Sequence, residues 1–222
     1  MSMTGLGVKF STIIVEMSGG NLGVALVIAM IACLILGMSL PTAVAYIIAA
    51  VAVAPGLLGL GLAPLVAHMF IFYFSIFGTI VPPVCLAVYT ACSIADARWT
   101  ETAFIAFKLA MPGFLVPYLM VQNHAMLMQG TVGEVVYVAI TAFVGIFLLA
   151  GAVIGYLLRP TKLVERFILL VAGLLLLYPT VVTDIVGVVV AVASLLYQRK
   201  TQEKELVPAG AREEGEEKSL EG

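Results

Sequence analysis

The stretch Gly37-Met38-Ser39-Leu40-Pro41-Thr42 decides how this chain is read. It sits inside a segment, residues 17–95, that contains no Asp, Glu, Lys or Arg. A membrane span needs only roughly 20 apolar residues, so a charge-free run this long is read as membrane-embedded. Glycine permits unusual dihedrals, while proline lacks an N–H and disfavours helix in the residue before it. The apolar helix predicted over Leu22 to Leu36 therefore stops at this stretch, and a second resumes from Ala43 to Ala54 before Pro55-Gly56. At 1.5 Å per residue each arm covers about 18–24 Å, short of a hydrocarbon core of roughly 30 Å. The pair is expected to form a re-entrant helical hairpin.

A second interruption follows at Gly78-Thr79-Ile80-Val81-Pro82-Pro83. The aromatic arm Leu65 to Phe77 precedes it, with Pro64 suited to a first helical turn, and Val84 to Ala95 completes it. These two arms together are expected to cross the bilayer once as a discontinuous helix.

Composition agrees with a membrane location. The 222 residues are 62% hydrophobic and 11% charged, against about 25% charged in soluble domains. No basic cluster suited to nucleic acid is present. Cys33, Cys85 and Cys92 lie in apolar stretches without ligand spacing, which argues against disulfides or a metal site. The sequence divides into a connecting segment at 1–20, the hairpin and broken helix at 21–95, and an amphipathic surface helix at 96–111. Transmembrane helices are expected over 112–197, with 132–158 the clearest span, and a disordered charged tail over 198–222. Asn21 is expected to cap one helix and Asp96 the amphipathic one, with Trp99 as an interfacial anchor. Arg98 and Lys108, then Arg159, Lys162 and Arg166, then Arg199, Lys200 and Lys204 form three basic clusters that the positive-inside rule assigns to the cytoplasm.

The two interruptions are the candidate functional residues. An unsatisfied backbone group in hydrocarbon costs several kcal/mol, so broken backbone is tolerated only inside protein or beside a watery cavity. Helix C-terminal carbonyls attract cations, and helix N-termini attract anions. The candidate ion or substrate positions at the first break are Gly37, Met38, Ser39, Pro41 and Thr42. At the second they are Gly78, Thr79, Ile80, Pro82 and Pro83. Secondary transporters place such breaks near the membrane midplane.

Gly37-Met38-Ser39-Leu40-Pro41-Thr42-Ala43-Val44-Ala45-Tyr46 resembles a signature of the large (DctM-like) membrane subunit of TRAP transporters, closest to the fused permeases of the TAXI branch. Ser18 to Asn21, Ala67 to Phe74, Val81 to Val84 and Ala106-Phe107-Lys108 support it in order, over about residues 4 to 197. The resemblance implies an all-α integral membrane bundle, the second half of an elevator-type transporter. It implies sodium as the coupling ion, small organic anions such as carboxylates as substrates, and a periplasmic substrate-binding protein as partner. The implied location is a prokaryotic inner membrane, multi-pass, in contact with lipid and with the tail in the cytoplasm. The family places polar or acidic residues before the proline pair; here Gly78, Thr79 and Val81 stand there, leaving carbonyls as ligands. The first inverted half and the small-subunit-like helices are not found in the sequence, so a missing N-terminal permease half or a small membrane subunit is an expected partner. The alternative function is a non-transporting scaffold or assembly subunit. No GxSxG or HExxH motif points to an enzyme. His68 and His124 read as packed and interfacial histidines, and Asp184 as marking a short turn.

Overall fold

The computed structural model describes residues 5–157, 160–177, 183–194 and 198, and among these the regular structure is helical. Two compact units divide at residue 139/140.

The first unit is built on α1 (Leu6–Ser18), α2 (Leu22–Gly37), α3 (Thr42–Gly59) and α4 (Pro64–Phe77). Asn21 starts α2 as predicted: its side-chain oxygen accepts the Gly23 and Val24 N–H groups at 2.9 and 3.3 Å. Pro64 opens α4, where its missing N–H costs nothing. Small residues face inward, among them Ala25, Ala29, Ala45, Ala49 and Ala52, while Ile31, Ile35, Ile47 and Val51 point outward. This arrangement suits a helix bundle in lipid, where the surroundings are as apolar as the core and close backbone approach drives association. The centre is aromatic. Phe70 and Phe74 are fully buried, and Tyr118 and Phe114 meet them edge-on at 5.4–6.0 Å, geometries that add attraction beyond burial.

The helix after the first break is longer than predicted. α3 runs through Pro55 to Gly59, 18 residues, long and apolar enough to cross a membrane. The predicted stop at Pro55-Gly56 is not observed, and α1 packs closely against this turn of α3. Pro55 withholds an N–H from the Val51 carbonyl region, and the Ser11 hydroxyl donates to the adjacent Ala52 carbonyl at 2.8 Å. Ser11 is also 3.0 Å from the Gly7 carbonyl. Gly56 lets α3 sit directly on the Ser11 backbone: a β-carbon there would lie 3.1 Å from the Ser11 carbonyl oxygen. The turn itself comes later, at Leu60 to Ala63, with Gly61 at φ 89°.

After the second break come α5 (Leu86–Ala95), α6 (Trp99–Ala110) and α7 (Val116–Gln122). Asp96 does not cap α6. It ends α5 in the left-handed conformation (φ 49°), and Arg98 occupies the start of α6. Arg98, Glu101 and Lys108 are exposed as expected, with an Arg98–Glu101 ion pair at 3.0 Å. Phe104 is also exposed, as are Ile105 and Leu109 on the same helix. A 3₁₀ segment, Met111–Leu115, absorbs Pro112, so Trp99–Gln122 forms a near-continuous helical stretch of 24 residues. The predicted boundary at residue 111 falls inside it.

α8 (Val132–Ile154) is the longest helix among those described and long enough to cross a membrane. It ends at Ile154, before Gly155 at φ 81°, rather than at Leu158. The second unit holds most of it together with α9 (Leu163–Leu177) and α10 (Thr183–Ser194). Asp184 lies in the first turn of α10 and is buried. The expected tail, apart from Gln198, lies outside the described residues. α8 and α9 touch glycine to glycine: a β-carbon on Gly145 would lie 3.1 Å from the Gly173 carbonyl oxygen, and one on Gly173 2.9 Å from that of Gly145. Gly173→Ala is expected to lower stability by about 1–3 kcal/mol, because the Leu149 side chain can yield but the Gly145 carbonyl oxygen is backbone. Thermal unfolding in detergent checks this; an unchanged or raised midpoint would contradict the close approach.

Candidate functional site

The two breaks, 41 residues apart in sequence, meet in space. A β-carbon built on Gly37 would lie 2.5 Å from the Ser75 carbonyl oxygen and 3.2 Å from the Gly78 α-carbon. One built on Gly78 would lie 2.7 Å from both the α-carbon and the carbonyl carbon of Gly37, and 2.8 Å from the Leu34 carbonyl oxygen. Both glycines are buried. Only residues without side chains allow the ends of α2 and α4 to come this close.

Each end is finished differently. At the first break the Met38 N–H reaches back to the Ile35 carbonyl at 3.4 Å, tightening the last turn of α2. The chain then passes Ser39, Leu40 and Pro41, and α3 begins at Thr42 with no side-chain cap. Ser39, Pro41, Thr42, Ala43 and Val44 are exposed, and Met38 is half-buried. The first-turn N–H groups of α3 therefore face outward from an accessible helix N-terminus.

The second break is wired to itself. The Ile80 and Val81 N–H groups both donate to the Phe77 carbonyl, at 3.0 and 3.2 Å. The Ala87 N–H donates to the Thr79 carbonyl at 3.1 Å, and the Cys85 thiol donates to the Ile80 carbonyl at 3.0 Å. The Thr79 hydroxyl donates to the Ile76 carbonyl at 2.8 Å, which leaves its oxygen lone pairs available. The Pro82–Pro83 peptide is cis, and Cys85 starts α5 from the left-handed region. Thr79, Ile80 and Pro82 are half-buried and Pro83 is exposed. Two proposed carbonyl ligands, Thr79 and Ile80, thus already accept one hydrogen bond each, with a second lone pair remaining.

The electrostatic consequence follows from helix ends alone. α2 and α4 both present C-termini at the glycine contact, each equivalent to roughly −0.5 elementary charge. Residues 17–95 hold no cationic side chain to offset them. Two like poles held together in a low-dielectric bundle form a place where a small cation is stabilised. The N-terminus of α3, four residues beyond Met38, has the opposite polarity and suits an anion.

Ser75 was not among the residues singled out from sequence. It is fully buried, its hydroxyl donates to the Ile71 carbonyl at 2.7 Å, and its own carbonyl faces Gly37. A lone serine in the aromatic arm Phe70 to Phe77 was the available signal. His68 stands ten residues before Gly78, about 15 Å along α4, and pairs with the Tyr46 hydroxyl at 3.0 Å, which ties α3 to α4 away from the breaks. His124 is exposed in the turn after α7. Among the described residues, no group of three or more His, Cys, Asp or Glu could hold a metal ion.

Comparison with known families places these features in context. A family model described as the tripartite ATP-independent periplasmic transporter, DctM component, matches residues 1–135, which include both breaks. A second, described as a domain of unknown function (DUF3394), matches residues 135–205. No curated protein and no solved structure matches the chain.

Proposed function

Because the chain belongs to the DctM-component family of tripartite ATP-independent periplasmic transporters, we propose that it serves a sodium-coupled permease and carries a cation site at the Gly37–Gly78 contact. The observation that carries this reading is the meeting of two helix C-termini, backbone to backbone, inside a segment with no cationic side chain. Sodium would be held by backbone carbonyls from Gly37 and Met38 on one side and Gly78 to Ile80 on the other, with the Thr79 hydroxyl oxygen beside them. Pro41, Pro82 and Pro83 keep those carbonyls from being drawn into regular helix. Ser39 and the N-terminus of α3 at Thr42 would meet the carboxylate of a small organic anion. A periplasmic binding protein would deliver that anion, and a further membrane subunit or permease half would complete the site. The basic clusters would face the cytoplasm of a prokaryotic inner membrane.

The test is a sodium titration of the purified chain in detergent. Sodium is expected to raise the unfolding midpoint while potassium and choline at equal ionic strength do not; at 100 times Kd the gain is about 2.7 kcal/mol. In proteoliposomes with the binding protein and the remaining membrane subunit, Pro41→Ala combined with Thr42→Val is expected to abolish sodium-driven uptake. Uptake unchanged by that pair, or stabilisation common to all three cations, would remove the assignment.

A further inference from the structure

Residues 17–95 hold no Asp, Glu, Lys or Arg, and His68 is their single histidine. Histidine is the side chain that changes charge between pH 5 and 8. Ionisable side chains within membrane bundles are costly and usually belong to ion or proton pathways. His68 is half-buried on α4, and its Nδ1 is 3.0 Å from the Tyr46 hydroxyl on α3. Phe72 covers Tyr46 edge-on at 5.5 Å. In the neutral ring Nδ1 can accept the tyrosine proton. In the protonated ring both nitrogens are donors, and the hydroxyl must turn to accept.

α2, α3 and α7 pack on α4. Their titratable groups are Cys33, buried on α2, Tyr46 on α3, and Tyr118 on α7, whose hydroxyl is bonded to the Met30 sulfur at 3.4 Å. Tyr73 stands further along α4 itself, and none of these groups is a carboxylate or a fixed cation. Phe114 meets Phe77 while Tyr118 meets Phe70, so this part of the chain runs antiparallel to α4 and leads the exposed His124 toward the His68 end. A proton on His68 therefore finds no counter-charge on the helices around it.

We propose, on the reading of the Gly37–Gly78 contact as a cation site, that His68 is a proton-binding site antagonistic to it: a proton on His68 weakens the binding of sodium. His68 and Gly78 share one polarity of charge when both are loaded, about 15 Å apart along α4. At an effective dielectric of about 20, two like unit charges at that separation weaken each other's binding about fivefold. The coupling is reciprocal, so sodium also disfavours the proton.

The experiment titrates the full chain in detergent with sodium at constant ionic strength, choline making up the difference, and reads affinity from the unfolding midpoint. Sodium is expected to bind about fivefold more weakly at about pH 5.5 than at about pH 8. His68→Gln, which takes up no proton in this range, should bind sodium equally at both, while His124→Gln should keep the wild-type difference. Equal wild-type affinity at the two pH values, or a difference that survives His68→Gln, overturns the antagonism and leaves the cation site standing. No response to sodium at either pH removes the cation site and the antagonism with it. Should His68→Gln fail to fold, imidazole NMR of the wild-type chain decides. Sodium is expected to move the titration of His68 and to leave that of His124 in place; a His68 titration indifferent to bound sodium overturns the proposal.

Discussion

Gly78→Ala is expected to destabilise the chain by about 2–3 kcal/mol and to remove its response to sodium. The new methyl group would meet backbone on every side: the Gly37 α-carbon and carbonyl carbon at 2.7 Å, and the Leu34 carbonyl oxygen at 2.8 Å. Overpacking commonly costs 1–3 kcal/mol, and the upper part of that range applies where no flexible side chain can yield. α2 and α4 would have to separate, which pulls the two carbonyl ends apart. Gly37→Ala should behave alike, since its methyl would approach the Ser75 carbonyl oxygen at 2.5 Å. Gly59→Ala provides the contrast. It lies at the end of α3 with open space around the added methyl, so alanine there should be neutral or stabilise by up to about 1 kcal/mol. Unfolding in detergent, with and without sodium, measures all three. A Gly78→Ala protein with native stability and an intact sodium response would show that the close contact is dispensable.

The contrast among these glycines also marks what the sequence reveals and what it hides. Gly37 and Gly78 announce helix breaks because each stands beside proline and hydroxyl residues in an apolar run. That the two breaks touch is not written locally: no charge pair links them, and the contact is between backbones, which leave no compositional signal. The Asn21 cap is legible because a side chain performs it within three residues. Pro55 misleads for a physical reason. An interior proline removes a single N–H and need not stop a helix: α3 continues past Pro55 with α1 packed on that turn, the Ser11 hydroxyl bonded to the neighbouring Ala52 carbonyl. Asp96 misleads because the same short side chain that favours an N-cap also tolerates the left-handed turn that ends α5. Ser75 contributes its carbonyl rather than its hydroxyl, so its side chain gave little notice of its place.

Ser11→Ala is expected to cost about 1 kcal/mol, the net worth of one buried hydrogen bond between helices. The Ser11 hydroxyl is 2.8 Å from the Ala52 carbonyl and 3.0 Å from the Gly7 carbonyl, and its single proton serves one acceptor at a time. The Gly7 and Ala52 carbonyls both lie inside helices, and the carbonyl that Pro55 leaves without an N–H is that of Val51, one residue before Ala52. The Ala52 bond is the shorter and the one that joins α1 to α3. A double-mutant cycle tests whether that bond depends on the proline. Pro55→Ala returns an N–H to Val51 and lets α3 straighten at this turn, so Ser11→Ala should cost at least about 0.5 kcal/mol less in that background. Equal penalties in both backgrounds would mean that Ser11 acts through packing alone. A reduced penalty would establish that α1 is bound to α3 through the proline break, which makes this first helix part of the folded bundle rather than a connector leading into it.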